Sequence, residues 1–231
     1  MRKNIAITES SKGGQLQPPL MADKAFLILK SLLINGNLKA GQFISISDLV
    51  TIIKLPLAPV REAVKHAESL GFLTVLPKKG LVVMQASPTL IKECFHLRSI
   101  FDQEGARDLI ENSRVTITHL INLKKKHLQI LKSAQKGINA KLQNEAMEVD
   151  WEMHSLLGSS INNGVAQQSY EHNKDCLWII QRSRPPLPDR IIPAMTEHLE
   201  IIDALISGNA DKSTKLIRKH FQQTLRWWGF I

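Results

Sequence analysis

Apolar residues return every third or fourth position from Asp23 onward, with Phe26, Leu29, Leu32 and Leu33 on one stripe, until the chain reaches Asn35 and Gly36. This spacing predicts a helix closed by a glycine cap. A turn at Lys39, Ala40 and Gly41 leads into a short stretch with β-branched Ile44 and Ile46. Ser47 and Asp48 are then read as the cap of a second helix carrying Leu49, Ile52 and Ile53. The third helix opens on Pro56 and Pro59, which a first turn tolerates because its N–H groups have no intrahelical partners. It turns Val60, Val64, Ala67 and Leu70 inward and stops at Gly71. The period then changes: residues 72–76 and 81–84 are strand-like, on either side of a turn at Pro77, Lys78, Lys79 and Gly80. Three helices followed by a two-stranded, basic-tipped hairpin form the winged helix-turn-helix pattern, whose third helix is placed to enter a major groove.

Residues 1–19 are polar and rich in Gly, Ser and Pro, a composition that predicts a flexible arm. Ser87 and Pro88 mark a linker, which divides the chain into a winged module at 20–86 and a second domain at 87–231. In that second part helical periodicity covers 89–112, 115–135, 139–159, 164–182, 190–207 and 210–227, with breaks at 162–164, 185–188 and 208–209. Six or seven helices in so short a stretch imply an all-α antiparallel bundle, so the fold class is mainly α with a small β wing.

Composition narrows the function. Lysine and arginine number 30 against 21 acidic residues, a balance that favours polyanionic partners. Residues 20–86 hold 8 basic and 4 acidic groups over 67 positions, whereas 87–231 hold 19 and 16 over 145, so the winged module is the better polyanion binder. Two cysteines without close pairing and the lack of a signal-like N-terminus predict a reduced, cytoplasmic protein. No apolar run of about 18 residues is present, which argues against a spanning helix.

The stretches Ile34-Asn-Gly-Asn-Leu-Lys-Ala-Gly41, Pro59-Val-Arg-Glu-Ala63, Leu70-Gly-Phe-Leu73 and Lys79-Gly80, with Leu49 between the first two, resemble the GntR family of bacterial transcription regulators over about 60 residues. The resemblance implies a double-stranded DNA operator and a homodimer. It makes Arg61 a base or phosphate contact and places Ser47, Lys79 and Gly80 at contact positions, with Lys65 and Lys78 counted among the DNA-binding residues. The chemistry agrees: arginine forks onto guanine, lysines neutralise phosphates, and glycine lets backbone approach closely. Where the family commonly has Ser and Arg, this chain has Pro56 and Leu57. Leu57 is expected to meet a thymine methyl and so to change the operator. Taken alone, Arg61-Glu62 reads as an ordinary solvated pair and Lys78-Lys79 as a polar turn.

Asp150 and His154 lie four apart, on one helical face, and His198 and His220 sit on two later amphipathic segments. Antiparallel packing brings such positions to one interior point, and one Asp with three His suits a divalent ion such as zinc, nickel or manganese. A lone histidine is usually a packing residue; four ligands together reverse that reading. Asp150-Trp-Glu-Met-His154, Ser160-Ile-Asn162, Glu197-His198 and His220 resemble the FCD ligand-binding domain of the FadR-type branch, which implies the same ligand set. In that comparison Arg98 corresponds to an arginine near the effector pocket, and Asp102 stands where the family has Glu. A small carboxylate effector is thus expected at the metal and Arg98, controlling what would be a repressor. The alternative is a metal-dependent hydrolase, with Glu152 or Glu197 as base, weakened by the lack of a His-Glu-x-x-His segment. A metal with only a structural role is the third reading. His66, His96, His119, His127 and His172 are assigned to surface or packing roles, and Trp227-Trp228 to packing or a dimer contact.

Overall fold

The computed structural model describes residues 20–113 and 115–230; the predicted arm at 1–19 lies outside them. Helix α1 (Met21–Ile34) packs on α3 (Leu57–Ser69), with α2 (Ile46–Ile53) across it. The stripe of Ala25, Leu29 and Leu33 meets Val60, Ala63, Val64 and Ala67, all buried. The N-cap of α2 is Ser45, not Ser47: the Ser45 hydroxyl accepts the Asp48 N–H at 3.1 Å, while Ser47 lies within the first turn.

The wing has three strands, not two. β1 (Phe43–Ile44) pairs antiparallel with β3 (Gly80–Val83), which pairs with β2 (Leu73–Leu76), giving the order β1-β3-β2. The two-residue β1 is too short to announce itself by alternation, and its strand character comes from β3 beside it. Gly80 is where they meet: with φ +140° and a would-be Cβ only 2.6 Å from the Ile44 carbonyl oxygen, the position excludes any side chain. The turn before it places Lys78 at φ 63°.

The remainder is helical: α4 (Pro88–Glu111), α5 (Ile117–Ala134), α6 (Ala140–Ser159), α7 (Gly164–Ser183), a short 3-10 turn (Pro188–Arg190), α8 (Ile191–Ile206) and α9 (Ala210–Trp227). Ser87, Thr116, Asn139 and Asn163 cap α4 to α7 with their side chains, which is why each helix starts where it does. α4 lies against α6, α7 and α9, and α8 against α5 and α9. A continuous apolar core runs from the winged part into the bundle, and a smaller one joins α5, α6 and α8 through Ile130, Leu142 and Met195. At the crossing of α4 and α6, a Cβ on Gly105 would run into the Leu157 carbonyl, so glycine sets how closely those helices approach.

α7 also faces the winged part. Its Asp175 pairs with Lys30 of α1 at 2.5 Å, and its His172 stacks on Phe72 with ring centroids 5.3 Å apart. No helix among the described residues is long and apolar enough to cross a membrane.

Candidate metal centre

In the middle of the bundle the core turns polar. Arg98 and Asp102 of α4, His127 of α5, His154 of α6, His198 of α8 and His220 of α9 are all at most 4% exposed. The 3.6-residue period explains each locally, since these positions fall on the stripe that also carries Phe95, Phe101, Leu123, Leu157, Ile201, Ile202 and Phe221.

Of the four residues expected as ligands, the three histidines come together and Asp150 stands beside two of them. One ring nitrogen from each of His154, His198 and His220 lies within 4.8 Å of the other two. His198 Nε2 is 3.4 Å from His220 Nε2 and 3.5 Å from Asp150 Oδ1, and His154 Nε2 is 3.7 Å from the same oxygen. Donors about 2.1 Å from a shared ion in tetrahedral array would be separated by roughly 3.4 Å, a spacing that these three separations approach. The tautomers agree. His154 Nδ1–H donates to Asp102 Oδ2 at 2.5 Å and His220 Nδ1–H to Glu197 Oε2 at 2.7 Å, which leaves both Nε2 lone pairs aimed inward. His154 Nε2 is buried without a hydrogen-bond partner. Two bare imidazole nitrogens facing one another beside a carboxylate is an arrangement that a cation stabilises.

Electrostatics point the same way. Burial, with Arg98 adding to it, holds His154 well below the usual imidazole value. His198 is also held well below, by burial and then by His220, and His220 is lowered, chiefly by burial. Neutral imidazoles are the form a metal needs. Burial raises Asp102 well above the ordinary carboxylate range despite Arg98 nearby. Glu197 is pushed up by burial, but hydrogen bonds from His220 and Arg190 outweigh that and leave it lowered.

Arg98 reaches this centre already engaged. Its Nη2 donates to Asp150 Oδ2 at 3.2 Å, its Nε lies 3.8 Å from Asp102 Oδ2, and its guanidinium stacks 4.2 Å from the Trp151 ring. Asp150 therefore has one oxygen on arginine and one on the histidines. Beside it opens a cavity of about 310 Å³, walled by Arg98, Asp150, Arg190 and His220 on its polar side and by Phe95, Met195 and Trp228 among its apolar groups. Arg190 had no sequence signal, lying in the proline-rich break; it forks onto Glu197 at 2.9 and 2.5 Å and donates to Thr224 at 3.2 Å. Glu152 pairs with Lys126 on the surface. Trp228 packs on Phe95 with centroids 5.3 Å apart, whereas Trp227 stays 37% exposed.

The residues expected at DNA lie elsewhere. Leu57, Arg61 and Lys65 follow one another at four-residue spacing on the exposed face of α3, and Lys65 pairs with Glu62 at 2.9 Å. Ser47, Lys78 and Lys79 are exposed, and Gly80 is half-buried against β1.

A family model described as the FCD domain matches residues 93–223. The chain is 22% identical over 194 residues to the uncharacterized HTH-type transcriptional regulator YdhC of Bacillus subtilis (strain 168), covering 84% of each protein. It is 25% identical over 200 residues to the Nta operon transcriptional regulator of Aminobacter aminovorans, covering 83% of this chain and 89% of that one. A putative GntR transcriptional regulator from Rhodococcus sp. RHA1 shares the fold with a TM-score of 0.73 at 16% identity, covering 91% of this chain and 98% of that one.

Proposed function

The chain belongs to the FCD-domain family and is a GntR-type transcriptional regulator; from that premise we propose that it is a metal-dependent repressor whose operator affinity is set by a small organic acid. Residues 20–86 form the DNA-binding domain and 87–231 the sensor, working in the cytoplasm as a homodimer. Kinship with transcription regulators sets the hydrolase reading aside.

The observation that carries the proposal is the convergence of three histidine nitrogens, with Asp150 Oδ1 3.5 Å from His198 Nε2 and 3.7 Å from His154 Nε2, beside a cavity that Asp150 and His220 line. His154, His198, His220 and Asp150 would hold the ion, which supplies Lewis acidity and open coordination positions. The cavity volume is near the lower end of small-molecule sites, about 300–1,000 Å³. A carboxylate effector enters from the side of Asp150 and His220, and Arg98 meets a second acidic group.

Gln181 and Arg182 of α7 line this cavity, and the same helix carries Asp175 and His172 against α1 and Phe72. An effector that bears on α7 therefore bears on α1, which packs on α3. In a dimer that motion alters the separation of the two α3 helices, to which half-site binding is sensitive. Leu57, Arg61 and Lys65 read the groove, while Ser47, Lys78, Lys79 and the backbone at Gly80 engage phosphates.

Selection of genomic binding sites by the purified protein, with metal analysis of the same sample, tests this. A short palindrome bound by protein carrying one divalent ion per chain is expected. Equal operator affinity after chelation, with or without candidate acids, would confine the ion to a structural role.

A further inference from the structure

The three inward-facing histidines differ in what holds them. The Nδ1–H of His154 ends on Asp102, and that of His220 on Glu197. His198 has no such carboxylate: its Nδ1 is buried without a partner. Across from it sits His127, fully buried, its ring edge-on to the His198 ring with centroids 5.3 Å apart and planes at 75°. His127 Nδ1–H donates to the Leu123 carbonyl at 2.8 Å, so its Nε2 is a bare acceptor, and that atom too is buried and without a partner. Each of the two rings thus carries an orphaned nitrogen, one a donor and one an acceptor, and the rings pack edge-on where α5 lies against α8.

We propose that His127 is the positioning residue for His198, its Nε2 accepting the His198 Nδ1–H and thereby turning His198 Nε2 toward the metal. The inference rests on the metal reading above. His127 is not itself a fifth ligand: its Nδ1 is taken by the Leu123 carbonyl and its ring nitrogens fall outside the close trio of His154, His198 and His220, whereas Asp150 meets that trio through Oδ1, 3.5 Å from His198 Nε2 and 3.7 Å from His154 Nε2. Its part is that of the outer partner which fixes a ligating imidazole's tautomer and orientation. The chain Leu123 carbonyl, His127, His198, metal is then held entirely by neutral groups, whereas the other two histidines rest on carboxylates. Of the three ligands His198 thus receives the weakest push toward basicity and depends most on orientation.

The test is Zn²⁺ affinity by chelator competition and the visible spectrum of the Co²⁺-loaded full chain, for wild type, His127→Leu and His127→Gln. The leucine removes the acceptor, and the glutamine carbonyl returns one near the Nε2 position. Expected are a loss of about tenfold to a hundredfold in Zn²⁺ affinity for leucine, recovery of most of it for glutamine, and a shifted Co²⁺ spectrum in the leucine variant alone. Should the leucine chain fail to fold, His127→Asn, whose shorter amide falls short of His198, takes its place. Unchanged affinity and spectrum in the leucine variant, or equal weakening by leucine and glutamine, overturn the proposal. A wild type that binds no Zn²⁺ removes this inference together with the metal reading; a wild type that binds it, beside unaffected variants, removes this inference alone.

Discussion

The winged part and the bundle solve opposite problems. In the winged part the interior is apolar, from Leu29 to Val64 and Leu81, and the residues assigned to DNA stand on its surface. In the bundle the functional groups are the interior: Asp102, His127, His154 and His198 are at most 1% exposed. A surface site can be altered with little cost to folding, because its side chains were never taken out of water. A buried polar centre is bound up with stability, since every group in it has paid desolvation and relies on its neighbours for compensation.

The sharpest attack on the bundle is at Gly105. Alanine there forces α4 and α6 apart, and we expect a loss of about 1–3 kcal/mol or more in denaturant unfolding, with metal binding failing alongside because Arg98 and Asp102 ride on α4 while Asp150 and His154 ride on α6. A chain that accepts alanine without cost would mean the crossing is looser than its geometry implies.

Next comes the ion itself. Zn²⁺ at a hundredfold above its Kd should stabilise the folded protein by about 2.7 kcal/mol, read as a concentration-dependent rise in Tm, and His198→Ala should abolish that rise. Acid should weaken the metal-free protein. Folded-state values of His127, His154, His198 and His220 are all lowered, principally by burial. The unfolded chain therefore takes up protons first, and their contribution is complete above about pH 6.5 and is lost as pH falls below it. Asp102 runs the other way, raised by burial and so costing stability as pH rises above its ordinary range. His198→Asn should flatten the fall in Tm between about pH 7 and pH 5.5; an equally steep fall would locate the acid sensitivity elsewhere.

The smallest effect on the fold is expected at the surface. Arg61→Ala should leave Tm unchanged yet cost about 1–3 kcal/mol of operator affinity, measured by titration at fixed salt. A destabilised Arg61→Ala protein would erase the contrast between the two regions.

Legibility follows the same division. The periodicity of α1, α3 and the six bundle helices was readable to within a few residues, because amphipathic spacing is a local property. β1 was visible only as a short β-branched stretch, since two residues show no alternation and only β3 supplies its pairing. The cap of α2 was misassigned by two residues, because Ser45 and Ser47 offer the same chemistry and only backbone direction separates them. Asp150 and His154 could be paired from their spacing alone. His198 and His220 could be joined to them only through the expected antiparallel packing of two later amphipathic segments, with the family resemblance implying the same set, and Arg190 hid in a proline-rich break.

The sequence by itself determined which residues are helical, which face of each helix is buried and where charge gathers, since these depend on neighbours within a turn or two. Only the tertiary structure decided that Asp102 supports His154, that Arg98 takes one oxygen of Asp150, and that His127 meets His198. On α5 His127 occupies a buried position like any apolar one, and nothing local distinguishes a packing histidine from a positioning one. The distinction arises where α5 crosses α8, 71 residues apart at the two rings, because the identity of a buried polar group's partner is a property of how helices cross and not of the helix that carries it.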